Sequence, residues 1–265
     1  MIITVILVLA ACAPAGPVAP KTPPAPVTLT VFAAASLTDA FSLIKTDFEA
    51  QNPGITVVYN FGGSSGLAQQ LGQAAPADVF ASANATQMDV AIEAGRVMTG
   101  TPQVFVRNRL VVITPADNPG AIADLQGLAS PGLRLVLAAA EVPVGEHTLA
   151  FLAKASEEPI FGAGYREAVL ANVVSYEDNV RAVLAKVAFG EVDAGIVYTS
   201  DVSGEGADQV AQIAIPDTLN TIAQYPIAVI ADSTQPAAAR AFVAFLLSDA
   251  GQATLESFGF LRVDR

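Results

Sequence analysis

Apolar runs and amphipathic stretches alternate along most of the chain. Residues 29–35 are almost continuously apolar and read as a buried strand. The next stretch, 36–51, carries Leu37, Ala40, Phe41, Ile44 and Phe48 at helical spacing and is stopped by Asn52-Pro53-Gly54. A strand at 55–61, a helix at 64–73, a short strand at 78–81 and a helix at 85–94 closed by Gly95 follow. The pattern restarts after Gly100. Strands are predicted at 103–107, 110–114, 133–138, 193–198, 210–215 and 225–230, and helices at 144–156, 179–190, 236–247 and 250–258. This alternation predicts an α/β protein with mostly parallel sheets and helices on both faces. The preferred partition has two lobes, residues 28–106 with 225–265 and residues 107–224, with strands crossing near 105 and 225. In such folds, ligands bind where sheet ends face the interlobe cleft.

The 265 residues carry a net charge of −12, which argues against nucleic acid as a partner. An anionic ligand would have to be held by local neutral donors against that overall field. One cysteine, Cys12, and one histidine, His147, rule out an internal disulfide and most metal sites. No apolar run reaches the roughly 20 residues needed to span a bilayer. The N-terminal end is short and apolar and closes on Leu9-Ala10-Ala11-Cys12, which resembles the lipobox of bacterial lipoproteins. Residues 1–11 then read as a signal peptide and Cys12 as the lipid-bearing first residue, although no Lys or Arg precedes it. Residues 12–27 hold Pro14, Pro17, Pro20, Pro23, Pro24 and Pro26, so they predict an extended tether of roughly 45 Å. The expected location is the periplasm or the outer face of the cytoplasmic membrane, with membrane contact only through that anchor.

Two strand-to-helix turns share a design. Residues 30–35 run into Ser36, with Asp39 three residues on as a carboxylate variant of the capping box. The strand at 55–61 runs into Gly62-Gly63-Ser64-Ser65-Gly66. A serine at a helix start offers a hydroxyl beside unpaired backbone N–H groups, and glycines let several N–H groups converge on one point. Val142-Pro143-Val144-Gly145 and Tyr176-Glu177-Asp178-Asn179-Val180-Arg181 open later helices in similar style, and the strand at 193–198 ends on Tyr198.

Three segments, Phe32-Ala33-Ala34-Ala35-Ser36-Leu37-Thr38-Asp39-Ala40, Ala75-Pro76-Ala77-Asp78-Val79-Phe80-Ala81-Ser82-Ala83 and Gly195-Ile196-Val197-Tyr198 with Ser200-Asp201, resemble the periplasmic molybdate-binding proteins of bacterial ABC transporters. The resemblance runs from about Thr28 to the C-terminus. It implies a type II periplasmic-binding fold and a monomer that captures molybdate or tungstate for a membrane permease, without chemistry on the ligand and without a cofactor. It places the ligand hydroxyls on Ser36, Ser64 and Tyr198. It places backbone donors on Val144 and on Val180, beside Asn179.

Other readings remain open at this point. The same fold could take sulfate or phosphate, while the absence of a clear Arg or Lys in these turns disfavours carboxylates. Gly62-Gly63-Ser64-Ser65-Gly66 also fits a nucleophile elbow, with His147 as base and Asp78, Asp117 or Asp124 as orienting partner. Glu146 and Asp178, close to a dianion, are expected to point into solvent, and Arg181 to form a surface or structural ion pair.

Overall fold

The computed structural model describes residues 26–204 and 207–263. The proposed signal peptide, Cys12 and nearly all of the tether lie outside them. Two five-stranded sheets organise the chain. The first has the order β2 (Ile55–Gly62), β1 (Val27–Ala34), β3 (Val79–Ala81), β10 (Ala223–Val229), β4 (Gln103–Asn108). The second has the order β7 (Val173–Glu177), β6 (Leu135–Ala138), β8 (Ala194–Tyr198), β5 (Leu110–Pro115), β9 (Val210–Ala214).

Both sheets are mixed rather than mostly parallel. In each, the first three strands pair in parallel, and one strand then enters antiparallel and pairs antiparallel on its other side too. The antiparallel members are the strands next to the lobe crossings, whose direction is set by where the chain arrives and not by their own residues. We assign 26–108 with 223–263 to one lobe and 110–214 to the other, so the outward crossing is the β4–β5 junction at Arg109.

Helix α1 (Thr38–Gln51) buries Ala40, Phe41, Ile44 and Phe48, the face its spacing predicts. Phe41 and Phe48 meet Phe242 of α7 (Pro236–Leu246) edge-on, at ring-centroid distances of 5.9 and 5.2 Å. Burying each such ring contributes roughly 1.5–3 kcal/mol. On the other face of the same sheet, Leu67, Ala68 and Leu71 of α2 (Ser64–Gly72) and Met88 and Ala91 of α3 (Ala85–Glu93) cover Phe32 and Phe80. In the second lobe α6 (Val180–Ala188) lies so close to β8 that a Cβ on Gly195 would sit 2.9 Å from Val183 Cγ1.

Among the described residues, the α-helix α5 (Tyr165–Ala171) and the strand β7 were not read from the sequence. β7 is an edge strand whose Val174 and Tyr176 are exposed, so it lacks the apolar alternation that marks a half-buried strand. Tyr176-Glu177 therefore ends a strand, and the helix opens later, at Val180.

The sheet orders place the site. β1 lies between β2 and β3, and β6 between β7 and β8, so each sheet has a point where successive connections leave its parallel strands. Such points create crevices at the carboxyl ends of strands. Ser36 and Ser64 follow β1 and β2, and α4 (Pro143–Glu157) and α6 follow β6 and β7.

Candidate functional site

The two sets of strand ends close on one small cavity. It is lined by Ala34, Ala35, Ser36, Gly62, Gly63, Ser64 and Ala83 from the first lobe and by Val142, Pro143, Val144, Val180 and Tyr198 from the second. All five residues singled out as anion ligands therefore meet in one place, and each is buried. Val180 lines the cavity, whereas Asn179 is the N-cap of α6 and its side chain accepts from the Ala182 N–H.

Helix geometry supplies the donors. Ser64 is the first residue of α2, Val144 the second of α4 and Val180 the first of α6. Backbone N–H groups at such positions have no intrahelical acceptor and sit at the positive end of the helix dipole. Ser36 sits in a short 3-10 turn, Ala35–Leu37, ahead of α1. The predicted Ser36–Asp39 capping box does not form, because this extra turn moves the start of the regular helix to Thr38. Asp39 instead pairs with Arg181 of the other lobe at 3.0 Å, the ion-pair role expected for that arginine.

The hydroxyls are held from behind. Ser64 Oγ accepts the Ala83 N–H at 3.0 Å, which leaves its own proton for another partner. Ser36 Oγ lies 2.8 Å from Tyr225 Oη. Tyr198 Oη lies 2.9 Å from His147 Nδ1, and when that nitrogen carries the proton the phenol is left to donate. Burial holds the His147 ring below its ordinary pKa, against the opposing pull of Glu146, which favours the neutral imidazole. Burial also raises the Tyr198 phenol well above its ordinary value, so it keeps its proton.

Apart from that phenol, no ionisable side chain among the described residues lines the cavity. Glu146 is exposed, as expected, and does not line the cavity, but it is tethered at the rim. Its two carboxylate oxygens accept from Asn84 Nδ2 at 2.7 Å and Thr86 Oγ1 at 3.4 Å, which ties the lobes at the rim. Asp178 is exposed, and its backbone carbonyl rests against Gly63. Among the described residues no cluster of three potential metal ligands occurs. The nucleophile-elbow reading gains no support: the oxygen of Ser64 takes a backbone proton and His147 bonds Tyr198, with no hydrogen bond joining the two side chains.

Sequence reasoning missed Asn108, His147 and Tyr225 as the shell behind the site. Their partners lie far along the chain, as with Tyr225 and Ser36, 189 positions apart.

Two α/β lobes, joined by crossing strands and closing helix N-termini on a small neutral cleft, define a two-lobed binding-protein fold. A model of the bacterial extracellular solute-binding protein family matches residues 29–261, and the chain belongs to that family. Over 235 residues it is 40% identical to the molybdate-binding protein ModA of Mycobacterium tuberculosis, covering 89% of this chain and 85% of that one. The periplasmic molybdate-binding protein of Azotobacter vinelandii superposes with a TM-score of 0.76 at 20% identity, over 89% of this chain and all of that one. The sulfate-binding protein SubI of M. tuberculosis gives a TM-score of 0.79 at 22% identity, over 90% of this chain and 88% of that one. Both structural likenesses are evidence of fold alone.

Proposed function

We propose that the chain captures molybdate or tungstate as a tetrahedral dianion and delivers it to an ABC transporter permease, acting as a monomer tethered outside the cytoplasmic membrane through Cys12. The observation that carries this reading is the convergence of Ser36, Ser64, Val144, Val180 and Tyr198 on one cavity that no charged side chain among the described residues lines. Together they offer seven donors: the N–H and hydroxyl of each serine, the N–H of each valine and the Tyr198 hydroxyl. Each charge-assisted hydrogen bond contributes roughly 1.5–3 kcal/mol, so such a ring binds a dianion tightly without a counter-charge. A ring made only of donors suits a fully deprotonated oxyanion and leaves the proton of hydrogen phosphate without an acceptor.

Sulfate is the second reading, since a sulfate-binding protein shares the fold. Its smaller radius would stretch the same donors, and the 40% identity to a molybdate-binding protein favours the larger anion. Competition calorimetry with molybdate, tungstate, sulfate and phosphate tests the choice. Molybdate and tungstate are expected to bind alike and far more tightly than the others. Ser36→Ala and Ser64→Ala should each weaken molybdate by roughly 1–3 kcal/mol. Unchanged affinity in both variants would refute the site assignment.

A further inference from the structure

The hydroxyl of Ser36 is wired to the place where the chain crosses between lobes. Asn108 ends β4 at the outward crossing and Tyr225 lies near the start of β10, on the return; both are fully buried. Asn108 Oδ1 is 2.9 Å from the Arg109 backbone N–H. That group can only donate, so it identifies the oxygen end of the amide. Thr199 Oγ1 lies 2.9 Å from the same oxygen and 3.1 Å from the Gly259 carbonyl oxygen, with one proton between the two acceptors. The NH2 end then faces Ser200 Oγ at 2.8 Å and Tyr225 Oη at 3.3 Å, and it can only donate to both.

The direction propagates from there. Tyr225 Oη also neighbours the Tyr198 phenol; with a lone pair taken by Asn108, its proton is assigned to the shortest contact, Ser36 Oγ at 2.8 Å. Ser36 Oγ then receives that proton from behind and turns its own toward the cavity it lines. Burial raises the Tyr225 phenol well above its ordinary value, so the proton that drives this relay stays in place.

We propose that Asn108 and Tyr225 are positioning residues that fix the Ser36 hydroxyl as a donor to the bound oxyanion, and so help to exclude oxyanions that carry a proton. The inference rests on the oxyanion reading of the cavity and extends it to how the site selects by protonation state. Its logic matches that at Ser64, where the Ala83 N–H takes the equivalent position behind the hydroxyl. There the donor is the local backbone; at Ser36 it is a side-chain relay anchored at both lobe crossings.

The test is Tyr225→Phe in the full chain, titrated calorimetrically with molybdate and with inorganic phosphate at pH 8. The ring keeps its edge-on contacts with Phe105 and Phe260 at centroid distances of 6.5 and 5.6 Å, so the ligand-free variant should melt within a few degrees of wild type. Freed from its donor, Ser36 can rotate to accept. Molybdate affinity is expected to fall about tenfold while phosphate affinity holds or rises, narrowing the ratio between them. Asn108→Ala should narrow the ratio in the same direction by a smaller factor. A ratio unchanged in both variants, whatever the absolute affinities, would overturn the relay alone. Wild-type protein that binds neither molybdate nor sulfate would overturn the oxyanion reading and the relay with it.

Discussion

Replacing Gly63 with alanine would set a methyl group between the lobes. Gly63 has φ −60° and ψ 133°, an extended conformation open to any L-residue, so its own lobe should fold without strain. Across the cleft, however, the new Cβ would lie 2.1 Å from the carbonyl oxygen of Asp178. Real Cβ atoms keep at least about 3.0 Å from such atoms, so the gap must widen by about 1 Å. Ser36 and Ser64 lie on one side of that gap and Val144, Val180 and Tyr198 on the other. A hydrogen bond lengthened by about 1 Å from its usual 2.9 Å is no longer one. Losing one or two charge-assisted bonds costs about 2–5 kcal/mol, a Kd raised roughly thirtyfold to several-thousandfold. Calorimetry with molybdate, paired with the melting temperature of the ligand-free protein, measures both halves of the argument. Affinity should collapse while the melting temperature holds. A Kd within threefold of wild type would refute the claim that both lobes hold the ligand in this closed arrangement.

Two further outcomes follow from charged groups near the cleft. Burial raises the Asp201 carboxyl to about 7, a rise that the Tyr198 N–H bond and Arg181 oppose and Asp39 assists. Its folded pKa lies above its unfolded value of 3.8, so its contribution to stability is full below about pH 4 and is lost as pH rises through about 7. Asp201→Asn should therefore raise the melting temperature relative to wild type at pH 8, with the gap closing toward pH 5; a gap independent of pH would contradict this. The Arg181–Asp39 pair spans the lobes with contacts of 3.0 and 3.3 Å and is only partly buried. Arg181→Gln should weaken molybdate binding by about 1 kcal/mol at low ionic strength and by less at high salt. An effect that salt does not alter would point to a role other than this ion pair.

Most of the fold was legible because it rests on local pattern. The spacing of Ala40, Phe41, Ile44 and Phe48 and the stop at Asn52-Pro53-Gly54 determine α1 without reference to the rest of the molecule. Strand direction was not legible in the same way: nothing in the residues of β10 or β5 says that they enter their sheets antiparallel. At the site, Ser36 and Ser64 could be read from their own turns, since a serine after a strand and among glycines has a recognisable chemistry. Val144 and Val180 could not be fixed that way. They contribute backbone N–H groups, which leave no side-chain signature, and only resemblance to a family singled them out. Asp39 was misread as a cap because its partner, Arg181, is 142 positions away. The support for Ser36 and Tyr198 was invisible for the same reason, being built from contacts across both lobes.

The central claim is that a tetrahedral dianion sits between the two serines of one lobe and the helix N-termini and tyrosine of the other. Crystals grown with tungstate and measured for anomalous scattering from tungsten test it most directly. A single strong peak is expected within hydrogen-bonding reach, through the anion's oxygens, of Ser36, Ser64, Val144, Val180 and Tyr198. A tungsten peak elsewhere on the protein, with none in this cavity, would contradict the account.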